Sequence, residues 1–235
     1  MKVEIWSDVI CPFCYIGKRR FENALQQFAH KDEIEIIWKS YQLDASIKTI
    51  PGKNINQYLA ERKGISLEQA KQMNDYVTNM AKEAGLYYDF DKAVVANTFD
   101  AHRFIHHAAK YGLGDAAEER LFSAYFTEGK NIADHDTLVQ LGVEIGIDAN
   151  ATKQMLTTGT YTYEVQQDIN EAESLGLRGV PFFVMNRKYG VSGAQPEETF
   201  LKTLEKSFTE WKQEQPQFEL TVTEGAVCKP GEDCN

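Results

Sequence analysis

The chain has 235 residues, 43% of them hydrophobic and 26% charged, which is enough apolar mass for a packed core. A formal net charge of -10 speaks against nucleic acid or an anionic membrane as a partner, because neutralising phosphates takes clustered Lys and Arg. No run of about 18 apolar residues occurs and no signal segment precedes the first strand, so neither a membrane span nor export is expected, and the expected location is cytoplasmic.

Residues 2–9 alternate Val3 and Ile5 against Glu4 and Trp6 and predict a strand. A helix is expected from about Cys14 to Ala29, with Phe21, Leu25 and Phe28 at helical spacing. "IEIIWKSYQL", 34–43, is rich in β-branched and aromatic residues and predicts a second strand. Residues 46–175 then read as an all-helical block. Within it periodic segments end repeatedly in Gly followed by Ile or Leu: "RKGI", "EAGL", "KYGL", "EIGI" and "SLGL". Gly64, Gly85, Gly112, Gly146 and Gly176 are therefore expected just past helix ends in the left-handed conformation, each followed by the apolar contact of a Schellman ending. Ser66 with Gln69 predicts a capping box, and Asp134 an N-cap ahead of Leu138, Leu141 and Ile145. Val165, Ile169 and Ala172 give the last helix of the block its apolar stripe.

Beyond the block, "GVPFFVMN" and "YGVSG" predict a hairpin turning at Arg187 and Lys188. "AQPEETFLKTLEKSFTEW" predicts a helix opening at Pro196, with Phe200, Leu204, Phe208 and Trp211 on one face. From about Lys212 the pattern lapses into a polar tail.

The four cysteines fall into two close pairs, Cys11 with Cys14 and Cys228 with Cys234. A lone C-x-x-C is compatible with a zinc half-site, a redox pair or coincidence. Zinc would need further ligands. His102 and His106 share a helix face but no second C-x-x-C accompanies them, so no metal is expected. The strand-turn-helix setting, with Pro12 and Phe13 between the cysteines, moves the weight to redox chemistry. The thiolate is the reactive species in disulfide exchange, and a helix N-terminus offers the Cys11 sulfur unpaired N–H groups and the positive end of the helix dipole. Cys14, one turn along and more buried, is placed to resolve a mixed disulfide, while Cys11 is expected to be exposed.

A β-α-β unit followed by a β-β-α unit, with helices between them, is the order of the thioredoxin fold. With "SDVICPFCYIGKRRFE", "NTFDAHRFIHHAAKYG", "LFSAYFTEGKNIADHDTLVQLGVEIGID" and "GVPFFVMNRKYGVSGAQP", the chain resembles the DsbA-type thioredoxin superfamily, in its cytoplasmic FrnE-like branch, over about residues 1–213. The resemblance implies an α/β thioredoxin fold in two discontinuous parts, 1–45 and 176–213, a helical domain at 46–175 and a tail at 214–235. It implies Cys11 as attacking thiol, Cys14 as resolving thiol, Pro181 as a cis-proline whose neighbour Val180 pairs with substrate, and a helical lid over the site. The activity implied is oxidation, reduction or isomerisation of protein or peptide disulfides, by a monomer or homodimer. No cofactor is expected to be bound, with glutathione or another small thiol as a candidate co-substrate.

The chain also departs from the family's pattern. Many thioredoxin-fold enzymes carry a buried acid six residues before the first cysteine as proton acceptor for the second; that position here is Ile5. Asp8 is the nearest acid in sequence, and is expected to satisfy the turn before the helix. Lys18 lies about 10 Å up the helix from Cys11, too far to help its thiolate much. The related kappa-class glutathione transferases and hydroxychromene-carboxylate isomerases carry Ser where Cys11 stands. Asn97, His102 and Arg103 either line a small-molecule pocket over the thiol or bridge helices around the stripe of Phe99, Phe104, Ile105 and Ala108. Two rival functions therefore stay open: glutathione-dependent transfer or isomerisation of a small aromatic or polyketide-like substrate, and a non-enzymatic thioredoxin-fold adaptor. In "CKPGEDC", Pro230 and Gly231 fit a type II turn that would bring Cys228 and Cys234 together, either as a second redox pair or as incidental residues of a tail.

Overall fold

A computed structural model of the chain describes residues 1–214, so Cys228 and Cys234 lie outside the described residues. Strand β1 (Lys2–Ser7), helix α1 (Pro12–Gln27) and strand β2 (Glu35–Ser40) open the chain. Strand β3 (Ile50–Asn54), helices α2 (Ile55–Lys63) and α3 (Leu67–Glu83), and strand β4 (Val94–Val95) follow. Helices α4 (Phe99–Ala109), α5 (Gly114–Phe126), α6 (His135–Glu144), α7 (Ala149–Thr157) and α8 (Thr162–Ser174) come next. Strands β5 (Phe182–Met185) and β6 (Tyr189–Ser192) and helix α9 (Glu197–Glu214) return to the sheet.

The main sheet runs β2-β1-β5-β6, with β1 parallel to β2 and antiparallel to β5. Helices α1 and α9 pack against each other, and the β-α-β and β-β-α halves meet at the β1–β5 pair, giving the thioredoxin-like α/β fold with inserted helices. β1 does not have the one exposed face that its alternation implies. Val3 and Ile5 enter the main core with Phe21, Phe183 and Phe200, while Trp6 packs against Ala172 of α8 and donates its indole N–H to the Asp168 carbonyl (3.0 Å). Glu4, buried on that same face, pairs with Arg187. The insertion covers the second face of the strand, and so the polar position is sealed.

All five predicted glycines take positive φ. At each ending the N–H of the next residue bonds back to the carbonyl five positions earlier: Ile65 to Ala60, Leu86 to Ala81, Leu113 to Ala108, Ile147 to Gly142 and Leu177 to Ala172. The Ser66–Gln69 capping box and the Asp134 cap are both formed. Two expectations need correcting. Helix α1 begins at Pro12 rather than Cys14, because proline's missing N–H and fixed φ suit the first helical position. The block 46–175 is also not all helical, since Ile50–Asn54 pairs antiparallel with Val94–Val95. "IPGKN" contains two strand breakers and its partner is two residues long, so no local pattern announces the pairing.

Candidate active site

Cys11 is the N-cap of α1 in extended conformation (φ -88°, ψ 111°), with its own N–H bonded to the Asp8 carbonyl (2.9 Å). The Cys14 N–H bonds to the Cys11 carbonyl (3.0 Å), closing the first turn and setting the two thiols side by side. Both are free thiols. Cys14 is 1% exposed and Cys11 only 4%, so the expectation of an exposed Cys11 is corrected: the neighbouring loop and the insertion close around it. What distinguishes the pair is access, since Cys11, Pro12 and Phe13 line an open cleft and Cys14 lies behind them. Burial, and then the adjacent Cys11 sulfur, push the Cys14 thiol well above its usual range; the Asp8 backbone and the Ser7 hydroxyl pull the other way.

The Val180–Pro181 peptide is cis, and the Cys11 thiol points at the Val180 carbonyl oxygen 3.5 Å away. Helix α1 can approach this loop because residue 17 is glycine. A Cβ there would lie 3.0 Å from Cγ of Pro181 and 3.4 Å from the Phe183 ring. From the insertion, Tyr88 donates its hydroxyl hydrogen to the Pro12 carbonyl (2.8 Å). Its burial, with the Cys11 charge adding, raises that hydroxyl far above the usual tyrosine value, so it stays protonated and keeps donating.

The cleft in front of Cys11 measures about 1080 Å³. Its far wall is α2 and α3, through Tyr58, Leu59, Met73, Tyr76 and Val77, with Arg62 and Lys63 on the same wall. The expected lid of inserted helices is thus narrower than predicted. Only α2 and α3 of the insertion's helices line the cleft, whereas α5 and α8 pack along β2.

Asn97, His102 and Arg103 do not line that cleft. Asn97 donates to the Ile47 carbonyl (2.8 Å) and accepts from the Phe99 N–H (2.9 Å), which ties the loop after β2 to the start of α4. Arg103 donates to the carbonyls of Thr160 (2.8 Å) and Met155 (2.7 Å), bridging α4 to the α7–α8 turn. His102 is buried with Nε2 3.5 Å from Oδ1 of Asp8, and neither atom has another hydrogen bond. Burial disfavours the imidazolium, but the Asp8 carboxylate and the Glu118 charge outweigh it and raise the His102 pKa. Asp8 itself accepts from the Leu43 N–H (2.8 Å), so its side chain anchors the loop after β2 rather than the turn before α1. Lys18 is buried among Glu22, Glu119 (3.0 Å) and Asp115 (3.4 Å) and is spent on tying α1 to α5.

Three residues at the site carry no local signal in the sequence. These are Tyr88, Ser7 and Glu118, the last two joined by a 2.6 Å hydrogen bond in which the serine donates. Among the described residues no group of three or more His, Cys, Asp or Glu side chains is arranged to hold a metal ion, and no helix is long and apolar enough to cross a membrane.

Residues 2–205 match the DSBA-like thioredoxin domain. The chain is 36% identical to a probable DsbA oxidoreductase from Streptomyces coelicolor, whose crystal structure superposes with a TM-score of 0.84 over 98% of this chain and 97% of that one. It is 28% identical over 204 residues to YwbO of Bacillus subtilis, covering 86% of this chain and 94% of that protein. A 2-hydroxychromene-2-carboxylate isomerase, 15% identical, shares the fold with a TM-score of 0.64 over 91% of this chain and 97% of that one.

Proposed function

The chain belongs to the DSBA-like thioredoxin domain family, and on that premise we propose that it is a thiol–disulfide oxidoreductase working through Cys11 and Cys14 on peptide or protein substrates in the cytoplasm. The observation that carries the proposal is the arrangement of the pair. One thiol stands at a helix N-terminus facing a cleft with the Val180 carbonyl alongside it, and the second lies directly behind the first. Cys11 attacks a substrate disulfide to give a mixed disulfide, and Cys14 then attacks the Cys11 sulfur and releases the substrate thiol. The apolar cleft suits an extended segment with bulky side chains, and the backbone at Val180 would hold its main chain. Glutathione or another small thiol would return the pair to its starting state.

The isomerase-like fold neighbour does not change this reading, because a glutathione-dependent isomerase has no use for a resolving thiol at Cys14. An adaptor would need neither cysteine. Reduction of insulin by the wild type, Cys11→Ser and Cys14→Ser proteins tests the proposal. Wild type should reduce insulin with dithiothreitol as electron source, Cys11→Ser should not, and Cys14→Ser should accumulate a covalent adduct with its substrate. Equal activity in all three proteins would refute it.

A further inference from the structure

The proton on Cys14 has to go somewhere when that thiol attacks. β1 offers Ile5 where many thioredoxin folds place a buried acid, and Ile5 is sealed in the apolar core. Another acid is nevertheless present. Glu118, on the α5 helix of the insertion, is 1% exposed, and it accepts a 2.6 Å hydrogen bond from the Ser7 hydroxyl at the end of β1. That length is typical of a hydroxyl donating to an ionised carboxylate. Ser7 is 2% exposed, and its hydroxyl is close enough to the Cys14 thiol to favour the thiolate and lower its pKa. A serine hydroxyl has one proton to give and lone pairs to receive another, so the buried Ser7–Glu118 bond offers a proton leaving Cys14 a route to the carboxylate through a dry interior.

We propose that Glu118 is the proton acceptor and donor for Cys14, acting through the Ser7 hydroxyl. The inference rests on the thiol–disulfide reading above. In the resolving step the Cys14 S–H proton passes to the Ser7 oxygen while the Ser7 proton passes to the Glu118 carboxylate. The Cys14 sulfur forms a bond to the Cys11 sulfur, the bond between Cys11 and the substrate sulfur breaks, and the electron pair leaves on the substrate thiolate. The enzyme pair is oxidised and the substrate reduced. In the opposite direction Glu118 returns the proton to Cys14.

The surroundings put this carboxyl in a working range. Burial raises its pKa to about 7, against the Ser7 hydrogen bond and the charges of His102 on α4 and Lys18 on α1, which lower it, while Asp115 on its own helix adds to the rise. Asp8 stands behind His102 and favours its protonated form, against the burial that disfavours it. A base poised near neutral pH is what proton abstraction from a buried thiol requires. The isolated alternative, in which Ser7 and Glu118 merely staple β1 to α5, predicts no dependence of the chemistry on the carboxyl's ionisation.

The test separates the two thiols' steps. Reduced protein is mixed with 5,5′-dithiobis(2-nitrobenzoate); attack by Cys11 releases one coloured thiolate, and attack by Cys14 on the resulting mixed disulfide releases the second. In wild type the second phase should follow a single ionisation near neutral pH. In Glu118→Gln, which keeps the Ser7 hydrogen bond, it should fall about 10²-fold at neutral pH and climb with each added unit of pH, because Cys14 must then ionise unaided. The first phase should be unchanged. Ser7→Ala, which keeps the acid but cuts the path, should behave like Glu118→Gln and decides the matter if that variant does not fold. A second phase with wild-type rate and pH profile in the variants, or one slowed equally at every pH, overturns the relay. Absence of any Cys11 adduct in wild type sinks the oxidoreductase reading itself, and the relay with it.

Discussion

Replacing Glu118 with Gln should make the protein more stable at neutral pH, not less. The carboxyl titrates near 4.5 when unperturbed and at about 7 in the fold, with burial as the largest cause. The folded state therefore binds the proton more tightly than the unfolded chain. Stability is highest below the unfolded value, falls as pH rises between the two, and is level above the folded value. At about 1.4 kcal/mol per pH unit across that interval, wild type gives up about 3 kcal/mol by the time the group is ionised. Glutamine has the same shape, can still accept the Ser7 hydrogen bond and carries no charge, so it avoids that loss. Urea unfolding followed by tryptophan fluorescence, at a series of pH values from about 4.5 to 8, measures both proteins under identical conditions. Titrating groups that do not interact with Glu118 act in both and cancel in the difference, while the coupling to His102 and Lys18 is part of the Glu118 shift itself. The stability of Glu118→Gln relative to wild type should grow by about 3 kcal/mol across the range. A difference that stays flat would mean that Glu118 is not a buried acid titrating near neutrality, and would remove the physical basis for its role as a proton acceptor.

Two further predictions concern the frame. Asp168 accepts from Lys39 (2.8 Å) and the Ser40 N–H (3.0 Å) and meets His106 (3.0 Å), and these partners overcome the burial that would otherwise raise its pKa, so the net shift is downward. Asp168→Asn should cost about 3 kcal/mol at neutral pH, and the penalty should shrink as pH falls through the folded pKa of Asp168, where wild type loses the same interaction; an unchanged urea midpoint would contradict this. Gly129 has φ +69°, and a Cβ there would lie 2.5 Å from Cβ of Lys92 and 2.7 Å from its carbonyl oxygen. Gly129→Ala should therefore cost at least about 2 kcal/mol in thermal or urea unfolding, from the left-handed conformation together with the clash; wild-type stability would refute the close approach.

Features decided within a few neighbouring residues can be read directly from the sequence. Helix ends at Gly64, Gly85, Gly112, Gly146 and Gly176 were legible because left-handed backbone and the following apolar contact are set by adjacent residues. The Cys11–Cys14 pair at a helix start was legible for the same reason, since a strand pattern, a proline and a helical period surround it. Tertiary structure alone decided what depends on chain segments meeting from far apart. Ser7 and Glu118 are 111 positions apart, and neither looks unusual among its neighbours. The burial of β1 on both faces depends on where α8 lands, and the pairing of β3 with β4 depends on a two-residue strand some forty positions on. His102 and Arg103 lay on a recognisable helix, but whether they faced the cleft or the core was set by α4's neighbours rather than by its period. Local pattern reports which face a helix or strand would bury, and only the packed chain supplies the partner that makes a buried polar group a structural tie, an ion pair or a route for a proton.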